Sequence, residues 1–202
     1  TYTEEVDVVR ISEALNPQEV LDGYRRGIFP MGYQDAPVIS WHLPEERGIL
    51  PLESFHVSRS LGHVLKQGKY RLSFDTAFEA VMRKCARPDD TWITERIIAV
   101  YRTLHQQGHA HSVEIWKDDE LAGGTYGVHI GGAFFAESKF HTATNLSKVA
   151  LAELVFRLRR QNFALLDVQY WTPHLAQFGV TAVSRNEYYW FLRQAVRLER
   201  SF

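Results

Sequence analysis

The sequence predicts an α+β chain, with a small N-terminal α/β domain over residues 1–62 and a larger mixed domain over residues 63–202. Three observations carry that prediction. From residue 70 onward, amphipathic helical periods and short strand segments follow one another in the order β-α-α-β-β-β-α-β-α-β-α. Ahead of them, GIFPMGYQDAPVISWHLPEERGILPL is dense in Gly, Pro and aromatics, the composition of turns joined by short strands. Finally, the apolar strand at residues 163–169 carries Asp167 and Gln169, polar groups whose burial costs a few kcal/mol each unless they are satisfied.

The elements follow in order. Asn16 is placed to cap a helix with Pro17 at its first position and Glu19 in its first turn; Val20, Leu21 and Tyr24 form its apolar side, and Gly27 stops it. In the turn-rich stretch, Phe29, Tyr33 and Trp41 either stack on a base or pack the small domain. Residues 56–71 hold the densest positive patch. Helical spacing there sets Arg59, His63 and Lys66 on one face, which is either an ordinary solvated face or a strip that tracks phosphates. Residues 70–74 alternate as a strand, and Asp75 is expected to cap the helix running to about Cys85. Thr94 caps the next helix, with Ile97, Ile98, Tyr101 and Leu104 as its stripe and Gly108 as its end. Strands at 112–116, 121–130 and 133–137 are joined by turns at 117–120 and 131–132. A helix to Arg160, the strand at 163–169, a short helix at 174–178, a strand at 181–183 and a final helix at 186–197 complete the chain. This is the element order of the acetyltransferase-like (GNAT) fold, a mixed sheet splayed open around an acyl-donor cleft.

Composition narrows the class. With 202 residues and 45 % hydrophobic content the chain can build a substantial core. A net charge of −1 leaves RNA contact to a local patch. The single cysteine, Cys85, fits a reducing compartment, and no apolar run reaches membrane-spanning length. The expectation is a soluble, cytoplasmic, monomeric protein without membrane contact.

The chemistry centres on Asp167 and Gln169. Two residues apart on a strand, they point the same way, beside Tyr170 and Trp171. The plainer reading is a structural Asp and a Gln that bonds backbone. Other constellations carry less. His105, His109 and His111 have no carboxylate or cysteine at ligand spacing, so no metal is expected. Cys85 sits on an apolar helix face, as a structural thiol does. Gly123-Gly124 and Gly131-Gly132 read as hairpin turns, although the first pair can also let a ligand approach a strand. Acetyltransferases of this fold wrap the CoA pyrophosphate in a glycine-rich loop before the central helix. Here that loop reads HTATNLSKVA and holds no glycine, so the donor is expected not to be CoA, and no cofactor is implied.

Eight segments, in order and covering most of the chain from residue 20, resemble the leucyl/phenylalanyl-tRNA–protein transferases of the bacterial N-end rule. They are YRRGIFP (24–30), RGILPLESFHVSRSL (47–61), TWIT (91–94), GHAHSVEIW (108–116), ELAGGTYGV (120–128), FFAESKF (134–140), NLSKVAL (145–151) and LLDVQYWTPHLAQFG (165–179). The resemblance implies transfer of Leu or Phe, and of Met as a third donor, from aminoacyl-tRNA to the N-terminal Arg or Lys of an acceptor protein. It makes Gln169 and Asp167 the catalytic pair, in which Gln169 orients the attacking amine and Asp167 fixes the amide or contacts the adenosine. It assigns Trp92 to the terminal adenine, and Glu137, Phe134 and Leu166 to the aminoacyl pocket. It sets Arg59, His63 and Lys66 on the tRNA backbone.

This chain departs from the family pattern at three pocket positions. Met31 stands where a second stacking Trp is common, Thr125 follows the Gly-Gly pair in place of Met, and Lys139 replaces Met beside Glu137. Lys139 either pairs with Glu137 or points outward. The rivals are another acyltransferase of the same fold and a non-catalytic adaptor that binds N-terminal Arg or Lys.

Overall fold

The structure, a computed structural model, describes residues 7–87 and 91–202. It is mixed α/β with two sheets. The first elements are β1 (Val8–Ser12), α1 (Pro17–Arg25), β2 (Phe29–Gly32) and β3 (Ile39–His42), whose strands form a small antiparallel sheet in the order β1-β3-β2. Then come β4 (Glu46–Ile49), α2 (Arg59–Gln67), β5 (Arg71–Phe74), α3 (Phe78–Cys85) and α4 (Glu95–Gln106). The meander β6 (Ala110–Lys117), β7 (Glu120–Ile130) and β8 (Ala133–His141) is followed by α5 (Leu146–Arg160) and β9 (Leu165–Gln169). The chain ends with α6 (Pro173–Ala176), β10 (Thr181–Ser184) and α7 (Arg185–Ala195). The large sheet runs β10-β4-β9-β8-β7-β6-β5. Thus β4, expected in the N-terminal part, is an interior strand of the large sheet.

Local signals explain most helices. Asn16 accepts the Glu19 amide at 2.9 Å, Thr94 accepts that of Ile97, and Ser184 with Glu187 closes a capping box at the start of α7. The expected α4 stripe of Ile97, Ile98, Tyr101 and Leu104 is fully buried. Asp75 does not cap α3, whose N-cap is Ala77 without a side-chain bond. Instead its carboxylate accepts from the Ser112 amide at 2.9 Å and pairs with His111 at 2.8 Å, so β6 takes the group the next helix was expected to use.

The large sheet separates two cores. On one face Phe135, Tyr126, Val128 and Leu165 pack with Tyr24, Val81, Tyr101 and Leu192. On the other, Phe134, Leu166, Val113 and Ile115 pack with Val149, Leu154, Leu158 and Leu61. Gly123-Gly124 form no turn; they lie within β7, and a Cβ on Gly123 would stand 2.8 Å from that of Leu146. Gly123 thus lets α5 lie close on one face of the sheet, while Gly124 faces Val81 of α3 and Phe140.

One irregularity positions the site. Strand β9 is parallel to β8, but their pairing covers only residues 133–135 against 165–167. Beyond that point β8 bulges at Glu137, between Ala136 opposite Gly127 and Ser138 opposite Tyr126. The two strands part there, and a cleft opens between them.

Candidate active site

At the parting of β8 and β9, the Gln169 amide donates to Glu137 Oε1 at 3.2 Å. The Tyr24 hydroxyl bonds the same oxygen and lies 2.6 Å from that of Tyr101. Glu137 Oε2 has no hydrogen-bond partner among the described residues. Burial pushes the Glu137 carboxyl up to about 7, against the opposing hydrogen bonds from Tyr24 and Gln169. Burial first, then the Glu137 charge, raises the Tyr24, Tyr101 and Tyr126 hydroxyls well above their ordinary range. They are therefore neutral around the carboxyl.

Gln169 owes its position to backbone geometry. Its φ is +67°, the left-handed region that costs a non-glycine residue about 1–3 kcal/mol. Two features hold it there. Its amide donates to Asp167 Oδ1 at 2.8 Å. Opposite it lies Gly48, where a Cβ would come within 2.6 Å of the Tyr170 backbone.

Asp167 is sealed. It is fully buried and grips the equally buried Arg47, whose Nε lies 3.0 and 3.1 Å from its two oxygens and whose Nη2 lies 2.9 Å from Oδ2. Tyr188 donates to Oδ2 at 2.6 Å. Burial acts to lower the Arg47 guanidinium, but the adjacent carboxylate outweighs it and the net shift is upward. Every favourable approach to the Asp167 oxygens is occupied, so this residue anchors the end of β9 and does not face the cleft.

The cleft has a volume of about 820 Å³ and is lined by Thr125, Glu137, Lys139, Lys148, Val168 and His174, among others. Thr125 donates to the Ser138 carbonyl at 2.9 Å and faces Lys139 across the β7/β8 pair. Lys139 makes no ion pair with Glu137 among the described residues, and burial lowers its amine below the ordinary lysine value. A second cavity of about 510 Å³ adjoins the first, sharing Arg87 and Ser138; Met31, Tyr33, His42 and Trp92 are in its wall. Of the three N-terminal aromatics, Phe29 and Trp41 are core residues and Tyr33 is exposed.

The structure therefore joins Gln169 to Glu137, with Thr125 in the same cleft and Met31 with Trp92 next door. It does not bring Phe134 or Leu166 to either cavity. Phe134 packs against Phe202, with ring centroids 5.3 Å apart, and Leu166 is fully buried beside α5. Arg59, His63 and Lys66 are all exposed on α2, which packs against α5. Sequence reasoning gave Arg47 no role beyond its place in a matching segment, and gave Tyr101 and Tyr24 only packing roles. Their partners lie 120, 77 and 113 positions away, and no local pattern signals such pairs.

The family profile described as "Leucyl/phenylalanyl-tRNA protein transferase" matches residues 49–193, and that of its N-terminal domain matches residues 13–45. The Leucyl/phenylalanyl-tRNA--protein transferase of Salinibacter ruber is 48 % identical over 85 % of this chain and 76 % of its own length. That of Herpetosiphon aurantiacus is 45 % identical over 95 % of this chain and 100 % of its own. Among solved structures, that of L-PGS from Bacillus licheniformis aligns with a TM-score of 0.44 at 10 % identity, over 82 % of this chain and 57 % of that one. The matched profiles and relatives, spanning nearly all of the described chain, make it a member of the leucyl/phenylalanyl-tRNA–protein transferase family.

Proposed function

We propose that this transferase moves Leu, Phe or Met from aminoacyl-tRNA to the α-amine of an N-terminal Arg or Lys, and that the transfer takes place where β8 and β9 part. The observation that carries this reading is the Gln169 amide held against Glu137, a residue of the cleft wall. Its NH₂ is turned toward Glu137, which leaves the carbonyl oxygen to accept from the attacking amine and aim it. An aminoacyl ester is already activated, so positioning and a proton acceptor suffice. Asp167 acts through Gln169 by holding its backbone.

The adjoining cavity, with Trp92 and Met31, suits the terminal adenosine, since an aromatic face stacks any base. Arg59, His63 and Lys66 on the exposed face of α2 suit the phosphate backbone. Thr125 and Lys139 make one wall of the aminoacyl end polar. We read the parted sheet as acetyltransferase-like and the protein as a cytoplasmic monomer. No helix among the described residues is long and apolar enough to cross a membrane.

The test is incubation with an Arg-initiated peptide and Leu-tRNA, Phe-tRNA or Met-tRNA in turn, following peptide mass. A gain of one residue supports the reading and ranks the donors. A peptide that binds with unchanged mass indicates an adaptor instead, and a gain of one acetyl group from acetyl-CoA indicates a different donor.

A further inference from the structure

We propose that Glu137 is the base of the reaction, taking the proton that the acceptor's α-ammonium must lose before it can attack, with Tyr24 as the positioning residue that sets its proton affinity. This rests on the transfer reading above. Of the three polar side chains brought together where β8 and β9 part, Glu137 is the one that can serve. The Gln169 amide has no basic site near neutral pH, and the Asp167 oxygens are filled by Arg47, Tyr188 and the Gln169 amide. Glu137 lines the cleft, and its Oε2 has no hydrogen-bond partner among the described residues. A buried carboxylate oxygen without a donor is a group waiting for one. The β8 bulge sets this side chain beside Gln169, so one acceptor amine can meet the Gln169 carbonyl and the Glu137 carboxylate together.

The step balances. The α-ammonium gives one proton to the Glu137 carboxylate. The freed lone pair attacks the ester carbonyl, forming the C–N bond. The tetrahedral intermediate then breaks the bond to the ribose oxygen, and the second nitrogen proton leaves with that oxygen as a hydroxyl. Glu137 finally returns its proton to solvent.

The charged and titratable groups around this carboxyl are few. Tyr24 of α1, Tyr101 of α4 and Tyr126 of β7 are neutral phenols, and α3 contributes Cys85, a thiol pushed up to about 12 by burial. Asp167 of β9 raises the Glu137 carboxyl, whereas Arg47 of β4 and the Tyr24 hydrogen bond lower it. Lys139 lies two residues along the same strand.

The experiment is the pH profile of single-turnover transfer from Leu-tRNA to an Arg-initiated peptide, for wild type, Glu137→Gln and Tyr24→Phe. Wild type is expected to gain rate through a limb near pH 7. Glu137→Gln should lose that limb and at least about 100-fold in rate, the scale of general-base catalysis, while binding Leu-tRNA within about threefold of wild type. Tyr24→Phe removes a donor that favours the carboxylate and should move the limb to higher pH, a displacement that neither a packing role for Tyr24 nor the acceptor's own amine would produce. A limb retained in Glu137→Gln with rates within about threefold of wild type, or a limb unmoved in Tyr24→Phe, overturns the proposal and leaves the transfer reading intact. Absence of transfer by the wild type overturns both.

Discussion

The Gln169 backbone is the most constrained element of the site, held left-handed by a buried carboxylate on one side and a glycine on the other. Asparagine tolerates that conformation better than most residues but is one methylene short of Glu137. Gln169→Asn should therefore match or exceed wild type in thermal stability and still lose most of its transfer rate, a separation that calorimetry and a single-turnover assay would reveal together. Asp167 belongs to a different category. Asp167→Asn strands the Arg47 charge in the core, at a cost of about 3–5 kcal/mol. At 2–4 °C per kcal/mol for a chain of this size, its Tm should fall by roughly 10 °C. Loss of activity in that variant should follow the melting curve; full activity at a temperature where it stays folded is also compatible with anchoring, but inactivity in a fully folded variant would give Asp167 a direct role.

At the scale of elements, the placement of Gln169 at the end of β9 depends on Gly48 in the neighbouring strand β4. A Cβ there meets the Tyr170 backbone at 2.6 Å, and backbone cannot swing aside as a side chain can. Gly48→Ala should cost about 1–3 kcal/mol and reduce transfer by displacing Gln169, measurable as a lowered midpoint in urea together with a lowered rate. Helix α2 presents the opposite case, since its exposed cations hold no fold together. Neutralising Arg59 or Lys66 should leave Tm within about 1 °C and flatten the log–log salt dependence of tRNA binding by about one unit per residue. A slope unchanged in both variants would remove α2 from the tRNA path.

Elements of this kind were unequally legible in the sequence. Helix α4 could be read because its stripe and its cap are local. Strand β1 could not: its residues are largely exposed, and it exists by pairing with β3 some thirty positions on. Asp75 looked like a cap because the sequence shows which group is available and not which distant strand will claim it. Asp167 and Gln169 stood out as polar residues in an apolar strand. That signal located the site but not the division of labour, which depends on Arg47 and Glu137 arriving from other strands.

At the scale of the whole molecule, the site weakens the fold that carries it. Burial raises Glu137 from 4.5 in the ordinary state to about 7 in the folded one. Below pH 4.5 the group is protonated in both states and the difference vanishes. As pH rises toward 7 the unfolded chain ionises first, and stability is lost up to a limit of about 3 kcal/mol. Glu137→Gln does not ionise, so it should match wild type near pH 4 and exceed it in Tm above pH 7, as paired thermal melts would show. A stability gap that stays constant with pH would mean that the carboxyl is not held neutral by burial.

The most direct measurement of the central claim is the single-turnover rate of aminoacyl transfer to an Arg-initiated peptide by wild type and Gln169→Ala, each saturated with Leu-tRNA. With the reaction seated where β8 and β9 part, wild type adds one leucine, and Gln169→Ala does so at least about 100-fold more slowly with Leu-tRNA affinity within about threefold. Equal rates in the two proteins would place the chemistry elsewhere on the molecule.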